Sequence, residues 1–128
     1  MLDMTDQELN RAIGELMGYS MKNTNTTKVY YRLVDPTGQL IGKSCAYESG
    51  VWSLYGPKYC TDPAASLEVQ TKAVESDRVA YVNNLYEACY EFKRDKDSVW
   101  DEINIAFLLN ASPRQSAEAA YMTLSIRE

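Results

Sequence analysis

The stretch Lys28-Val29-Tyr30-Tyr31-Arg32-Leu33-Val34, followed by Asp35-Pro36-Thr37-Gly38 and then Gln39 to Tyr47, decides the fold class. Its β-branched and aromatic residues suit a pleated strand. Asp, Pro and Gly occupy favoured positions of a type I turn. The two runs around that turn read as a β-hairpin over 28–47. Ser49-Gly50 makes a second turn and Val51-Trp52-Ser53-Leu54-Tyr55 a third short strand. An antiparallel meander over 28–55, set between helical segments, makes the chain α+β.

Helix signals lie on both sides. Upstream, Thr5-x-x-Glu8 has capping-box spacing, and Leu9, Ala12, Ile13, Leu16 and Met17 follow as one apolar stripe. Gly18 stands where a C-terminal cap belongs, so the spacing predicts a helix over 6–17. Residues 20–27 are polar and aperiodic and read as a loop. Downstream, Gly56-Pro57 ends the sheet, and Asp62-Pro63 is an N-cap followed by proline at the first helical position. The helix it opens, with Ala64, Leu67, Thr71 and Val74 along one face, is expected over 63–77. Ser112-Pro113 repeats the signal and heads a final helix over 113–125. The segment 79–109 stays open. Val79, Val82, Leu85, Cys89 and Phe92 fit one helical face, while Tyr86, Ala88, Tyr90 and Phe92 alternate as a strand would. Lys93 to Ser98 is a charged turn, and Ile103, Ile105, Phe107 and Leu109 carry the same ambiguity.

Three stretches together resemble a known family. Leu9-Asn-Arg-Ala-Ile-Gly-Glu-Leu-Met-Gly-Tyr19 is similar to the first helix of small phage and prophage proteins described as the phage ABA sandwich domain. Pro57-Lys-Tyr-Cys-Thr-Asp-Pro-Ala-Ala-Ser-Leu67 looks like that family's entry into its second helix, with Cys60 in place of serine. Ser112-Pro-Arg-Gln-Ser-Ala-Glu-Ala-Ala-Tyr121 looks like its closing alanine-rich helix. The 20–56 insertion with its own hairpin departs from the pattern. The resemblance implies one α+β domain over 1–128, a sandwich with an antiparallel sheet packed against helices. It favours a second hairpin near 84–92 and 99–108. It carries no activity across, only a phage or mobile-element setting.

Composition narrows the chemistry. The 128 residues include 13 basic and 18 acidic side chains, a net charge of −5, and no histidine. Without histidine there is no Ser-His-Asp or Cys-His mechanism and no imidazole metal ligand. Cys45, Cys60 and Cys89 are an odd number with no CxxC spacing, as expected of reduced thiols packed as small hydrophobes. The six glycines are scattered, so no phosphate-binding loop is expected, and no metal, cofactor or catalytic residue is assigned. The acidic balance disfavours direct binding to nucleic acid or an anionic membrane. No basic, apolar leader opens the chain, and the strongly apolar run Ile105 to Leu109 is far too short to span a bilayer. A cytoplasmic place, inside a host cell, is the expectation.

The positive feature is aromatic. Ten tyrosines and two tryptophans are present, and Tyr30, Tyr31, Tyr47, Trp52, Tyr55 and Tyr59 crowd the meander and its exit. Such side chains offer large rigid contact area and a polar handle. Packing one face of the sheet is their ordinary use, but that many exceed what one small core takes. Arg32 and Arg114 add charge for an anionic ligand, and Lys58 or Arg114 stands beside a proline-headed helix start. Asp62 already occupies the first of those starts. The expected binding residues are Tyr30, Arg32, Tyr47, Trp52, Tyr55, Tyr59 and Arg114. The expected function is non-enzymatic: a phage or mobile-element accessory protein binding and inhibiting a host protein or complex, most naturally of a defence system. The alternative is a sponge for a nucleotide signal, with Trp52 or Tyr55 stacking on the base and Arg32 or Arg114 on the phosphate. A homodimer is left open.

Overall fold

The computed structural model describes residues 2–23, 30–90 and 108–126. Their elements run α1 (Asp6–Leu16), β1 (Ser20–Asn23), β2 (Tyr31–Val34), β3 (Leu40–Cys45), α2 (Glu48–Tyr55), α3 (Pro63–Tyr90) and α4 (Pro113–Ile126). This is an α+β fold with an antiparallel three-stranded sheet in the order β1-β2-β3. The turn Lys93–Ser98, and the strand expected at 99–108 up to residue 107, lie outside the described residues.

Helix ends follow local chemistry. The Thr5 hydroxyl accepts the Glu8 amide at 3.1 Å while the Glu8 carboxylate accepts the Thr5 amide at 3.0 Å, a complete capping box. At the other end Gly18 turns left-handed (φ +105°). That lets the Tyr19 amide reach the Gly14 carbonyl at 2.9 Å and the Gly18 amide the Glu15 carbonyl at 3.2 Å, a Schellman closure. Asp62 caps α3 by accepting the Ala64 amide at 3.1 Å. Ser112 and Gln115 cap α4 reciprocally, at 3.1 and 2.9 Å.

The hairpin forms where the turn residues place it. Asp35 Oδ1 accepts the amides of Thr37 and Gln39, each at 2.9 Å, and the Thr37 hydroxyl at 2.6 Å. Those bonds, the Thr37 hydroxyl first, hold its carboxyl below the usual range. Between Tyr31↔Cys45 and Leu33↔Ile41 the register slips, a bulge on β3. Gly42 sits in it at φ +66°, and Arg32 Nε donates to the Gly42 carbonyl at 2.7 Å.

Four expectations need correction. Residues 51–55 are not a third strand but the C-terminal part of α2. Val51, Trp52 and Tyr55 stand at i, i+1 and i+4, a helical face, and packing on β2 and β3 outweighs their strand preference. The third strand is instead Ser20–Asn23, within the segment expected as a loop. It is an edge strand whose residues are mostly exposed, so it carries no apolar alternation to read. The helix expected to end at 77 continues to Tyr90 after a break at Asp77 (φ −162°, ψ 91°). Asp77 Oδ1 accepts the Ala80 amide at 3.1 Å and recaps the second half. Finally, the hairpin strand that the family resemblance favours from residue 84 is helical through Tyr90. Tyr81, Leu85 and Ala88 face the core and Asn84 donates to the Thr123 hydroxyl at 3.0 Å.

Two cores result. Leu9, Ile13, Tyr59, Val69, Ala73, Tyr81 and the α4 alanines 117, 119 and 120 join α1, α3 and α4. Leu33, Val51 and Trp52 join the sheet to α2, with Tyr19, Met21, Tyr31, Ile41 and Tyr55 around them. The two meet where Trp52 lies against Gly14 of α1, so close that a Cβ there would come within 2.7 Å of the ring.

Candidate functional site

The aromatic residues expected to bind divide sharply. Trp52 is 7% exposed and Tyr59 is buried in the helical core. The Trp52 ring is wedged between Gly14 and Gly56, and the Arg11 guanidinium lies 5.7 Å above its centroid. Tyr55 packs its ring on Gly42, where a Cβ would stand 2.3 Å from it. Burial pushes the Tyr59 phenol well above its ordinary range, with Tyr19 and Glu68 adding to the shift. Tyr30, just before β2, is half-buried. Tyr47 alone of the set lies open, 76% exposed at the N-terminal end of α2.

The two arginines are committed within the chain. Arg32 spans the β-bulge as described. Arg114 Nε donates to Glu118 Oε1 at 2.6 Å, and its two terminal nitrogens reach Asp6 Oδ1 at 2.8 Å and the Met4 carbonyl at 2.7 Å. Glu118 is 1% exposed, so this guanidinium neutralises a carboxylate inside the helical core. The Cys60 thiol lies 3.9 Å from the same arginine, yet burial outweighs that cation and pushes it up to about 11. A thiol so placed stays protonated and unreactive at neutral pH.

A concave feature lies elsewhere. Between the first turns of α1 and the outer side of α2 lies a cleft of about 370 Å³, walled by Gln7, Arg11, Ser49, Trp52, Ser53 and Lys58 among others. The Lys58 ammonium donates to the Trp52 carbonyl at 3.1 Å and to the Ser53 carbonyl, capping the C-terminal end of α2. Burial lowers its pKa from the ordinary lysine value. Arg11 is shared between Glu48 at 2.9 Å and Glu15 at 3.5 Å. Gln7 reaches across to the Ser53 hydroxyl at 3.5 Å. Trp52 Nε1 is buried without a hydrogen-bond partner.

Against known families, curated proteins and solved structures the chain finds no match. The site therefore has to be judged on its own chemistry. Among the described residues no group of three or more Cys, Asp and Glu side chains could hold a metal ion, and no helix is long and apolar enough to cross a membrane. Trp52 stands out in the sequence among the aromatics and Lys58 beside a proline-headed helix start, but nothing in the sequence places them in one cleft. Arg11 and Gln7 went unnoticed because they sit on the polar face of an ordinary amphipathic helix. Only the crossing of α1 and α2 gives them a neighbour.

Outside the cleft, α2 shows a second face. Leu54, in the last turn of α2, is 68% exposed, and Tyr47 is the extended N-cap residue that precedes the helix. Ser49 and Ser53 belong to the cleft on the adjacent side of the same helix.

Proposed function

We propose that this chain is a non-enzymatic accessory protein of a phage or mobile element, acting in the host cytoplasm by binding and inhibiting a host protein or complex. The observation that carries the binding reading is the exposed apolar surface at the two ends of α2, where Tyr47, its extended N-cap residue, is 76% exposed and Leu54, in its last turn, 68%. Tyrosine is enriched at interface centres. The neighbouring cleft adds a concavity between α1 and α2. The phage setting is supported by the resemblance of 9–19, 57–67 and 112–121 to the phage ABA sandwich domain. Inhibition of a defence system follows from that setting. The nucleotide sponge has less support: Trp52 is covered by Arg11 and Gly14, Tyr55 by Gly42, and Arg32 and Arg114 are engaged.

The test is capture from host lysate with wild-type protein and with a Tyr47→Ala/Leu54→Ala double variant. Both side chains are exposed, so the variant should unfold within about 0.5 kcal/mol of wild type. A host protein retained by wild type and lost by the folded variant supports the reading. Identical retention by both, or retention by neither, overturns it.

A further inference from the structure

The face read from the sequence on α3, Ala64, Leu67, Thr71 and Val74, does not enter the core. Ala65, Ser66, Val69 and Ala73 do that, on the opposite side of the helix, so α3 carries two stripes before its break at Asp77. In the outward stripe Leu67 and Val74 are 61% and 43% exposed, and Ala64 and Thr71 are exposed with them. The four follow at intervals of three, four and three residues, the spacing of a coiled-coil seam. Leu67 and Val74 stand two turns apart, about 10 Å along the axis. The small residues Ala64 and Thr71 alternate with them and leave recesses for the side chains of a second helix. The Thr71 hydroxyl donates to the Leu67 carbonyl at 2.9 Å, so it needs no acceptor from outside.

The rim of this stripe is acidic. Glu68 and Glu75 each follow a large stripe residue and line one flank, and neither makes an ion pair among the described residues. Lys72 lies behind them, toward the core. On the other flank Gln70 is half-buried and donates to the Ser66 hydroxyl at 3.1 Å.

We propose that this face of α3 docks an amphipathic helix of another protein, with leucine-like side chains over Ala64 and Thr71 and Lys or Arg residues against Glu68 and Glu75. The surface goes beyond the ends of α2 and uses none of their residues. Charge selects the occupant. Two copies of this chain paired antiparallel on the stripe would set all four glutamates along one edge, and a parallel pair would oppose glutamate to Gln70 and gain no ion pair. An anionic membrane is repelled by the same acids, where a membrane-surface helix carries Lys and Arg.

The experiment titrates the full chain into a labelled, stapled helical peptide by fluorescence anisotropy, with the peptide dilute enough to stay monomeric. The peptide has Leu at alternating intervals of three and four residues and Lys on both sides of them; a second peptide has Glu in place of Lys. Wild type should bind the Lys-flanked peptide at least tenfold more tightly than the Glu-flanked one. Leu67→Asp should weaken that binding about tenfold or more, and Glu68→Lys/Glu75→Lys should reverse the preference between the peptides. The Tyr47→Ala/Leu54→Ala variant should bind like wild type. The proposal is overturned if wild type binds neither peptide or both alike, if folded Leu67→Asp binds like wild type, or if the charge-reversed variant keeps the original preference. Loss of peptide binding in the folded α2 variant would move the site to α2 and overturn it too. So would sedimentation showing a wild-type dimer that Leu67→Asp dissolves, since the occupant would then be a second copy. Should Leu67→Asp fail to fold, Leu67→Ala takes its place. No host protein enters the titration, so its failure leaves the α2 reading standing, and failed capture from lysate leaves this one.

Discussion

The helical interior and the sheet interior bury themselves by different means. Ala65, Ala73, Ala117, Ala119 and Ala120 let α1, α3 and α4 approach closely, and Leu9, Ile13, Val69, Tyr59 and Tyr81 fill what remains. The sheet has strands of four to six residues and so little area that Leu33, Val51 and Trp52 form its buried centre, ringed by half-buried Tyr19, Tyr31 and Tyr55. Large rings do there what many small contacts do in the helices, because each aromatic side chain covers far more surface than an alanine. The sheet layer thus depends on a larger share of aromatic rings, although Tyr59 and Tyr81 are buried among the helices. Tyr47 and Leu54 are what this packing leaves exposed at the two ends of α2.

The strongest way to break the contrast is Trp52→Ala, which should cost about 4 kcal/mol in urea unfolding. Hydrogen exchange should show amides of β2 and β3 losing protection while those of α3 and α4 keep theirs. Equal loss in both layers would mean that they form one cooperative unit. Arg114→Met attacks the other side. It leaves the carboxylate of Glu118, 1% exposed, without its cation and should cost about 3 kcal/mol, with α1 and α4 losing protection first. A loss below about 1 kcal/mol would show that the arginine is incidental there. The smallest effect sharpens the comparison with pH. The Cys60 thiol has its ordinary pKa of 9.0 when unfolded, and burial pushes it up to about 11 in the fold. The fold favours the protonated form, so this contribution is complete below pH 9 and disappears as pH rises toward 11. The urea midpoint should fall over that window, and Cys60→Ala should flatten the fall. An unchanged slope in that variant would assign the alkaline loss to other groups, such as Tyr81, whose phenol is pushed up to about 12 by burial.

What was legible in the sequence is what neighbours along the chain decide. Thr5 with Glu8, Asp62 with Pro63, Ser112 with Pro113 and Asp35 through Gly38 each specify a cap or turn within a few residues, and each forms as read. Residues 51–55 were illegible because Val51, Trp52 and Tyr55 prefer strands in isolation and become helical against β3. Ser20–Asn23 gave no signal because an exposed edge strand has no apolar face to alternate. The site suffered most. Its expected residues were chosen for chemistry, and burial claimed Trp52 and Tyr59, while Arg32 and Arg114 were spent on a bulge carbonyl and a buried acid. Only Tyr47 kept the exposure a contact surface needs, and Lys58 entered the cleft as a helix cap rather than as a phosphate ligand.

The Arg114–Asp6 bond joins residues 108 positions apart, whereas the contacts of the sheet layer, such as Ser20 with Val34 and Gly42 with Tyr55, span 14 and 13. During synthesis, then, the hairpin and α2 can assemble soon after residue 55 leaves the ribosome, while α1 waits with Leu9 and Ile13 uncovered until α4 arrives. A pause in translation anywhere before residue 113 lengthens that wait.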